Sequence, residues 1–182
     1  MEKKTDTKET AMATVLIVNS SYRENSNSSE LGLCVAEGAR KAGHEVTVID
    51  IGRMRIEPCR GCEACLQPKS KGCVVRDDMQ SLYPLVREAD VIIYASPVYW
   101  FNMGGQIKQF IDRCFSVAVL PGYQEPGPFA AKKLGAVLAY GGEDPFDSGC
   151  VNALRCFQDM CAYTGAEWAG AVYGSASEEG GI

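Results

Sequence analysis

Segments with a strand pattern alternate with segments with a helical pattern along most of the chain, and this alternation restricts the fold more than any other feature. The strand pattern, short and apolar with many β-branched residues, occurs five times, at residues 14–18, 45–49, 91–96, 134–140 and 168–173. Helical patterns lie between these segments. Such alternation predicts right-handed crossovers and a parallel sheet covered by helices on both faces.

Five strands in a chain of this size favour one strand order. We predict an α/β, flavodoxin-like, doubly wound five-stranded parallel sheet with the order 2-1-3-4-5, in which a ligand binds over strands 1 and 3. A chain of 182 residues is long enough to bury one core without additional cross-links. We therefore expect a single domain at residues 13–182, preceded by a disordered polar tail at residues 1–12.

Composition excludes several classes of partner. No apolar run approaches the roughly 18 residues that a membrane-spanning helix needs. Residues 1–10 (MEKKTDTKET) lack the apolar centre of a secretory signal. A net charge of −5 argues against nucleic acid as the main partner, because nucleic-acid binding normally requires a basic face. We expect a cytoplasmic protein that binds neither nucleic acid nor membrane.

Three unusual loops follow strands 1, 3 and 4, and the predicted strand order brings them together. The first, NSSYRENSNSSE, is rich in hydroxyls and amides and leads into a helix N-terminus, which favours a phosphate. Asn27 and Glu30 have the spacing of a capping box, which predicts that this helix starts at Ser28. The second loop, SPVYWFN, is aromatic, and the third begins YGGED. A mononucleotide with a flat ring, such as a flavin, fits this combination.

Four of the nine cysteines fall within fifteen positions: Cys59, Cys62, Cys65 and Cys73. In a reducing compartment such a cluster is more often metal-binding or redox-active than disulfide-bonded. Three thiolates at three-residue spacing can reach three corners of a 4Fe-4S cubane, and a fourth closes it. Zinc and free or redox-active thiols stay open as alternatives. The other five cysteines lie in predicted helices, where we expect small buried hydrophobic side chains.

Two stretches resemble the NADPH-dependent FMN reductase family. SPVYW followed by GQIKQFIDR, within residues 96–113, is similar to the family's second flavin loop and the helix after it. SSYRENSNS, at residues 20–28, resembles the family's phosphate loop. The resemblance covers nearly everything from residue 14 to residue 173. The spacing C-x2-C-x2-C-x7-C, with the DDM that follows, looks like the iron-sulfur flavoprotein branch of the family.

The resemblance implies an FMN-dependent oxidoreductase or electron-transfer flavoprotein that moves electrons between NAD(P)H or ferredoxin and an acceptor. FMN would carry the chemistry, so no catalytic acid or base is expected. The implied FMN contacts form a phosphate set, a ribityl and ring set, and a set that closes the other side of the ring: Ser21, Arg23, Asn25, Asn27 and Ser28; Ser96, Pro97, Val98, Tyr99, Trp100, Phe101 and Asn102; and Tyr140, Gly141 and Gly142. A 4Fe-4S cluster would be ligated by Cys59, Cys62, Cys65 and Cys73.

Two alternative functions stay open: a cluster-free NAD(P)H-dependent FMN or quinone reductase, and a flavin-binding electron carrier without enzyme activity. A phosphoryl-receiving module is disfavoured, because its strand ends need carboxylates where this chain has Asn19 and Ser96. The basic character of residues 53–76 predicts a docking surface for an acidic donor such as ferredoxin. No fifth helix follows the last strand pattern, so either the chain continues beyond residue 182 or another subunit covers the face beside the first helix. We expect a homodimer or homotetramer.

Overall fold

The computed structural model of the protein describes residues 11–176, so most of the predicted tail lies outside the described residues. This part of the chain forms six strands, β1 (Thr14–Asn19), β2 (Glu45–Asp50), β3 (Val91–Tyr99), β4 (Asn102–Met103), β5 (Lys133–Tyr140) and β6 (Glu167–Ser175). It also forms four α-helices, α1 (Asn27–Lys41), α2 (Met79–Glu88), α3 (Gly105–Ala118) and α4 (Cys150–Thr164). None of these helices is long and apolar enough to cross a membrane.

Five parallel strands form the sheet in the order β2-β1-β3-β5-β6. Counted without β4, this is the predicted order 2-1-3-4-5, and the prediction of an α/β parallel sheet is confirmed. The predicted number of strands is wrong, because β4 is a sixth strand that pairs antiparallel with the end of β3. A strand of two residues has no periodicity that a sequence pattern can indicate.

The larger core lies between one face of the sheet and helices α2, α3 and α4. Alternate residues of β1 show how the two faces divide. Leu16 and Val18 belong to the larger core, whereas Val15 and Ile17 pack in a smaller cluster with α1. All four side chains are buried, so β1 is apolar on both faces, as a central parallel strand should be.

The register of the two central strands determines where a ligand site lies. Asn19, the last residue of β1, pairs with Ala95 of β3. The next residue, Ser20, donates to the Ala95 carbonyl from its hydroxyl at 2.8 Å and from its backbone N–H at 3.1 Å. The loop after β1 is therefore fixed beside the second half of β3. In open α/β sheets this position, where the strand order reverses, is where ligands bind.

Candidate functional site

A cleft of about 250 Å³ lies at the carboxyl ends of β1, β3 and β5. Residues of all three unusual loops and one residue after β6 border it: Ser21, Arg23, Asn25, Ser26, Asn27 and Ser28; Pro97, Val98 and Tyr99; Ala139, Tyr140 and Gly141; and Ala176. The structure thus brings the three loops together. Five other predicted residues do not border the cleft: Ser96, Trp100, Phe101, Asn102 and Gly142.

Hydroxyl groups shape the loop after β1. Ser26 is the N-cap of α1, because its Oγ accepts the Ser29 backbone N–H at 3.2 Å and donates to Ser29 Oγ at 2.8 Å. Ser21 Oγ accepts the backbone N–H of Arg23 at 3.1 Å. The predicted cap at Asn27 is wrong by one position, since Asn27 is already the first residue of α1. The first turn of α1 and the nearby arginine together favour an anion.

A β-hairpin forms the second wall of the cleft. β3 continues past its predicted end at residue 96 and reaches Tyr99, where the chain turns into β4. Trp100 and Phe101 form the turn with φ angles of 48° and 67°, the sign that a type I′ turn requires at both positions. The last three residues of β3 line the cleft, whereas Trp100 is 92% exposed. The cleft therefore meets the strand of the hairpin and not its turn.

Two side chains hold the hairpin from outside the cleft. Ser96 is buried, and its Oγ accepts the Gly104 backbone N–H at 3.0 Å and donates to the Pro97 carbonyl at 2.8 Å. Asn152 of α4 donates from Nδ2 to the Phe101 carbonyl at 3.2 Å. Ser96, predicted to contact a ligand, is thus placed as a support for the loop that borders the cleft.

The loop after β5 is tied to the end of β6. The Gly142 carbonyl accepts a hydrogen bond from Ser175 Oγ, and the Tyr140 carbonyl accepts the Ala176 backbone N–H at 2.9 Å. Gly142 has a φ angle of 92°, which favours glycine. These contacts explain why Ala176 borders the cleft next to Tyr140 and Gly141.

The connection between β2 and α2 contains the four clustered cysteines. All four border a second cavity, of about 420 Å³, whose remaining wall comes mainly from α3 and α4: Cys59, Cys62, Cys65 and Cys73. Cys59 and Cys62 are exposed, and Cys65 and Cys73 are half-buried. Within residues 11–176, however, no group of three or more Cys, His, Asp or Glu side chains is arranged to hold a metal ion. The thiols share a cavity without forming a ligating set.

Arg113 of α3 joins the two ends of this cysteine-bearing segment. It is 1% exposed and forms a bidentate ion pair with Asp77, with Nη1 2.5 Å from Oδ2 and Nη2 3.0 Å from Oδ1. Its Nη1 also donates to the Glu57 carbonyl at 2.8 Å, and Asp77 Oδ2 accepts the Glu57 backbone N–H at 2.8 Å. Its Nη2 donates to the Val75 carbonyl at 3.4 Å. We call the residues between these anchors, 58–74, the cysteine loop.

The two half-buried thiols of the cysteine loop, Cys65 and Cys73, differ in acidity. Burial alone would raise the pKa of the Cys73 thiol, but a hydrogen bond from the Val75 backbone and polar contacts with Tyr83 and Arg113 outweigh it and lower the pKa. Burial raises the pKa of Cys65, and the nearby thiols raise it further. Of these two half-buried residues, Cys73 therefore ionises more readily, and thiolates are the form that binds metals.

The five remaining cysteines fall into two groups. Cys114, Cys150 and Cys161 are buried as predicted, and burial raises the pKa of the thiol to about 11 at Cys150 and Cys161. Cys34 and Cys156 are exposed, so the predicted burial is wrong for these two. Each lies on the solvent side of its helix, because the core-facing positions of α1 and α4 fall on other residues.

Comparison with known proteins places these observations in a family. The model of the NADPH-dependent FMN reductase family matches residues 13–168, which is most of the chain. The chain belongs to this family. The resemblance seen in the flavin-loop and phosphate-loop stretches is thereby confirmed.

Similar proteins add detail. The chain is 38% identical over 123 residues to an iron-sulfur flavoprotein of Archaeoglobus fulgidus, covering 67% of this chain and 52% of that protein. It is 35% identical over 126 residues to an iron-sulfur flavoprotein of Methanosarcina thermophila, covering 69% of this chain and 61% of that protein. The chain thus spans about half to three fifths of the length of these curated relatives. A solved NAD(P)H:quinone oxidoreductase from Methanothermobacter marburgensis has a TM-score of 0.67 at 19% identity, covers 91% of this chain and 84% of its own, and supports the flavodoxin-like fold.

The residues around the cleft fit FMN. At one end, a capped helix N-terminus, hydroxyls, amides and Arg23 suit a phosphate. At the other end, the last residues of β3 together with Tyr140 and Gly141 offer the apolar and aromatic surface that suits a flat ring. The cysteine loop fits an iron-sulfur cluster in the type of ligand atom it offers. Four thiols border one cavity, and thiolates are the ligands that such clusters bind.

Sequence reasoning missed several residues that shape these sites. The sequence did indicate Ser26 as a candidate, because serine is a preferred N-cap residue. The capping-box spacing of Asn27 and Glu30 instead favoured Asn27 as the cap. Ala139 and Ala176 border the cleft without any chemical signal. Arg113 had a weak signal, since it lies three positions after the buried Phe110 and so belongs to the core-facing side of α3.

Proposed function

We propose that this chain is an FMN-dependent oxidoreductase that moves electrons between NAD(P)H or ferredoxin and an acceptor. The observation that carries the proposal is the meeting, at one cleft, of the capped helix start after β1, the hairpin at the end of β3 and the glycine loop after β5. Family membership and the names of the two iron-sulfur flavoprotein relatives support it. The expected cytoplasmic location stays a prediction from composition.

The loop after β1 is proposed to hold the FMN phosphate. The proposed contacts come from Ser21, Arg23, Asn25, Asn27 and Ser28. The arginine supplies a positive charge, the hydroxyls and amides supply hydrogen bonds, and the first turn of α1 adds the helix dipole. The N-cap serine acts indirectly, because it keeps this first turn in place.

The hairpin and the loop after β5 are proposed to enclose the ribityl chain and the ring, through Pro97, Val98, Tyr99, Tyr140 and Gly141. When bound, FMN supplies the redox chemistry at its ring. The protein then needs only to orient the ring and to limit its contact with water. The remaining predicted residues are proposed to act by shaping these loops: Ser96, Trp100, Phe101, Asn102 and Gly142.

For the four clustered cysteines we propose a 4Fe-4S cluster ligated by Cys59, Cys62, Cys65 and Cys73. Their common cavity and the names of the two relatives support this. A second candidate is a cluster-free NAD(P)H-dependent FMN or quinone reductase. It is favoured by the absence, within residues 11–176, of a side-chain group arranged to hold a metal. Iron and sulfide analysis of anaerobically purified protein separates the two, since a 4Fe-4S cluster gives about four of each per chain.

The basic segment 53–76 is proposed to dock an acidic protein donor such as ferredoxin. It carries six cations against two glutamates: Arg53, Arg55, Arg60, Lys69, Lys71 and Arg76, with Glu57 and Glu63. Attraction between exposed charges is screened by salt, so the rate of reduction by ferredoxin should fall between low and moderate ionic strength. A rate that does not change with salt would count against this docking surface.

Titration of the apoprotein with FMN tests the cofactor site. Arg23→Ala should weaken FMN binding about 10- to 100-fold, because a charge-assisted hydrogen bond contributes roughly 1.5–3 kcal/mol. Arg155→Ala is the matched control, since this exposed arginine of α4 pairs with Asp159 at 2.8 Å and does not border the cleft. Equal FMN affinity in Arg23→Ala and wild type would contradict the proposed phosphate site.

Steady-state assays then separate an enzyme from a carrier. Oxidation of NADPH or NADH by the FMN-loaded protein is followed with quinone, flavin and metal acceptors. Turnover that is lost together with FMN binding in Arg23→Ala supports the oxidoreductase. Stoichiometric reduction without turnover for any acceptor would instead support a flavin-binding electron carrier.

A further inference from the structure

The charge of Arg113 is buried in a place that the proposed FMN chemistry does not use. It is the largest fully buried side chain in residues 11–176, and a buried guanidinium is costly unless it is paired. The partners of its Nη atoms all lie at the two ends of the cysteine loop: Glu57 on one side, and Val75 and Asp77 on the other. The guanidinium therefore spans the neck of that loop.

Hydrogen bonds of the Arg55 and Glu57 backbones with Asp77 and Asp78 close the same neck. Asp78 Oδ2 accepts the Arg55 backbone N–H at 2.8 Å, and the Asp78 backbone N–H donates to the Arg55 carbonyl at 3.1 Å. Asp77 joins the two sides again through the Glu57 N–H at 2.8 Å. All of these contacts are between protein groups, so no metal ion takes part in them.

Two buried hydrogen-bond donors lie beside the neck. Tyr83 Oη and Arg113 Nε have no hydrogen-bond partner at normal geometry within the described residues, although Tyr83 is 4% and Arg113 1% exposed. Both groups lie against Cys73, which borders the cavity shared by the four thiols. Both side chains can donate hydrogen bonds, and hydrogen bonds to ligand sulfurs are a usual way to orient and tune iron-sulfur sites.

We propose that Arg113 is a positioning residue for the sulfur site: together with Asp77 it closes the neck of the cysteine loop and presents Cys73 Sγ to the cavity that the other three thiols border. This rests on the proposed role of the four cysteines as metal ligands. Arg113 also links the two proposed redox sites, because α3 starts at Gly105, directly after the hairpin that lines the flavin cleft.

Cobalt(II) titration of the metal-free, FMN-loaded chain tests the proposal, because sulfur-to-cobalt charge-transfer absorption grows with the number of bound thiolates. Arg113→Met combined with Asp77→Asn removes both buried charges, and so leaves no uncompensated carboxylate. Lys108→Met is the control on the same helix, since Lys108 pairs with Asp112 at the surface. We expect four thiolates in wild type and in Lys108→Met, and three in the charge-free double variant.

A mutant cycle that includes Cys73→Ser identifies which thiolate the charge-free double variant loses. Cys73→Ser alone should bind cobalt through three thiolates, and adding the two neutralising substitutions should remove no further one. Four thiolates in the charge-free double variant, or further loss in the Cys73→Ser background, overturns the proposal. Fewer than four bound thiolates in wild type would overturn the proposed sulfur site, and this inference with it. The proposed FMN site is tested separately, because its failure would show as an absence of FMN binding.

Limited trypsin digestion gives a second readout that needs no metal. Arg60, Lys69 and Lys71 are cleavage sites within the cysteine loop. We expect the charge-free double variant to be cut there at least several-fold faster than wild type and Lys108→Met, while FMN affinity stays the same in all three. Equal cleavage rates would show that the ion pair does not close the neck.

Discussion

Gly149, the residue before α4, has a backbone φ of 79°, a value that favours glycine. A Cβ at this position would lie 2.3–2.6 Å from three backbone atoms of Phe101. Glycine therefore lets the start of α4 approach the hairpin turn closely enough for Asn152 to reach the Phe101 carbonyl. The position of the hairpin over the cleft depends on this approach.

Gly149→Ala should lower the free energy of unfolding by about 1–3 kcal/mol, because strain at positive φ adds to a clash with fixed backbone. FMN affinity should fall too, since a displaced Phe101 moves the hairpin wall. Gly38→Ala is the matched control: Gly38 lies within α1 with nothing within 4 Å of an added Cβ. It should raise the free energy of unfolding by roughly 0.5–1 kcal/mol. Urea and FMN titrations measure both effects, and equal tolerance of the two alanines would refute the packing argument.

The ionisation of Asp77 should make the free energy of unfolding depend on pH. Burial would raise the pKa of its carboxyl group, but Arg113 and the backbone N–H groups of Glu57 and Met79 outweigh it and hold the pKa below its usual range. An acid whose pKa is depressed on folding stabilises the fold above its unfolded pKa of about 4. That stabilisation is lost as the pH falls through the folded pKa.

We therefore expect the free energy of unfolding to decrease more steeply below about pH 4 in wild type than in Asp77→Asn. At neutral pH the variant should be the less stable protein, because Arg113 loses its buried counter-charge. Urea titrations across this range measure both differences. Parallel pH profiles for the two proteins would show that Asp77 is not the titrating group.

At the scale of elements, the hairpin of β3 and β4 has a turn sequence that fits its backbone poorly. Type I′ turns favour Asn-Gly, because both central residues need positive φ. Here these positions hold Trp100 and Phe101, which are 92% and 54% exposed and so gain little from packing. Non-glycine residues at such angles cost on the order of 1–3 kcal/mol each. The strain lies at the rim of the proposed flavin cleft.

Replacing Trp100 and Phe101 by Asn and Gly should raise the free energy of unfolding by about 1 kcal/mol or more. FMN affinity should stay within about threefold of wild type, because the strand residues that line the cleft are unchanged. Phe146→Ala is the control, since Phe146 is 73% exposed and lies outside the turn. If FMN affinity falls by an order of magnitude, the two aromatic side chains contact the cofactor, as the sequence alone predicted.

The sequence predicted the elements whose side chains repeat with a clear period. The strand predicted at 14–18 is β1 (Thr14–Asn19), and the strand predicted at 134–140 is β5 (Lys133–Tyr140). β3 was predicted three residues too short, because Pro97 has no N–H and so usually marks the end of a central strand. The chemistry of the three loops could be predicted from composition. Which loop residues line the cleft could not, because that depends on where the hairpin turns.

For the whole molecule, the edge of the sheet at β6 carries exposed apolar side chains. Within residues 11–176, β6 pairs with β5 alone. Val172 and Tyr173 are neighbours that point to opposite faces of the sheet, and they are 53% and 47% exposed. An edge strand with exposed apolar side chains is a surface on which a second chain can pair. The expected homodimer or homotetramer would cover it.

Val172→Lys should therefore shift the protein toward monomer in sedimentation equilibrium at micromolar concentration, because a charge on the uncovered strand opposes pairing with a second copy. Leu33→Lys is the matched control, since Leu33 is 40% exposed on α1 and lies away from the β6 edge. FMN affinity should be the same in both variants, as neither residue borders the cleft. A wild-type protein that sediments as a monomer, or a Val172→Lys oligomer as stable as that of Leu33→Lys, would rule out β6 as the contact surface.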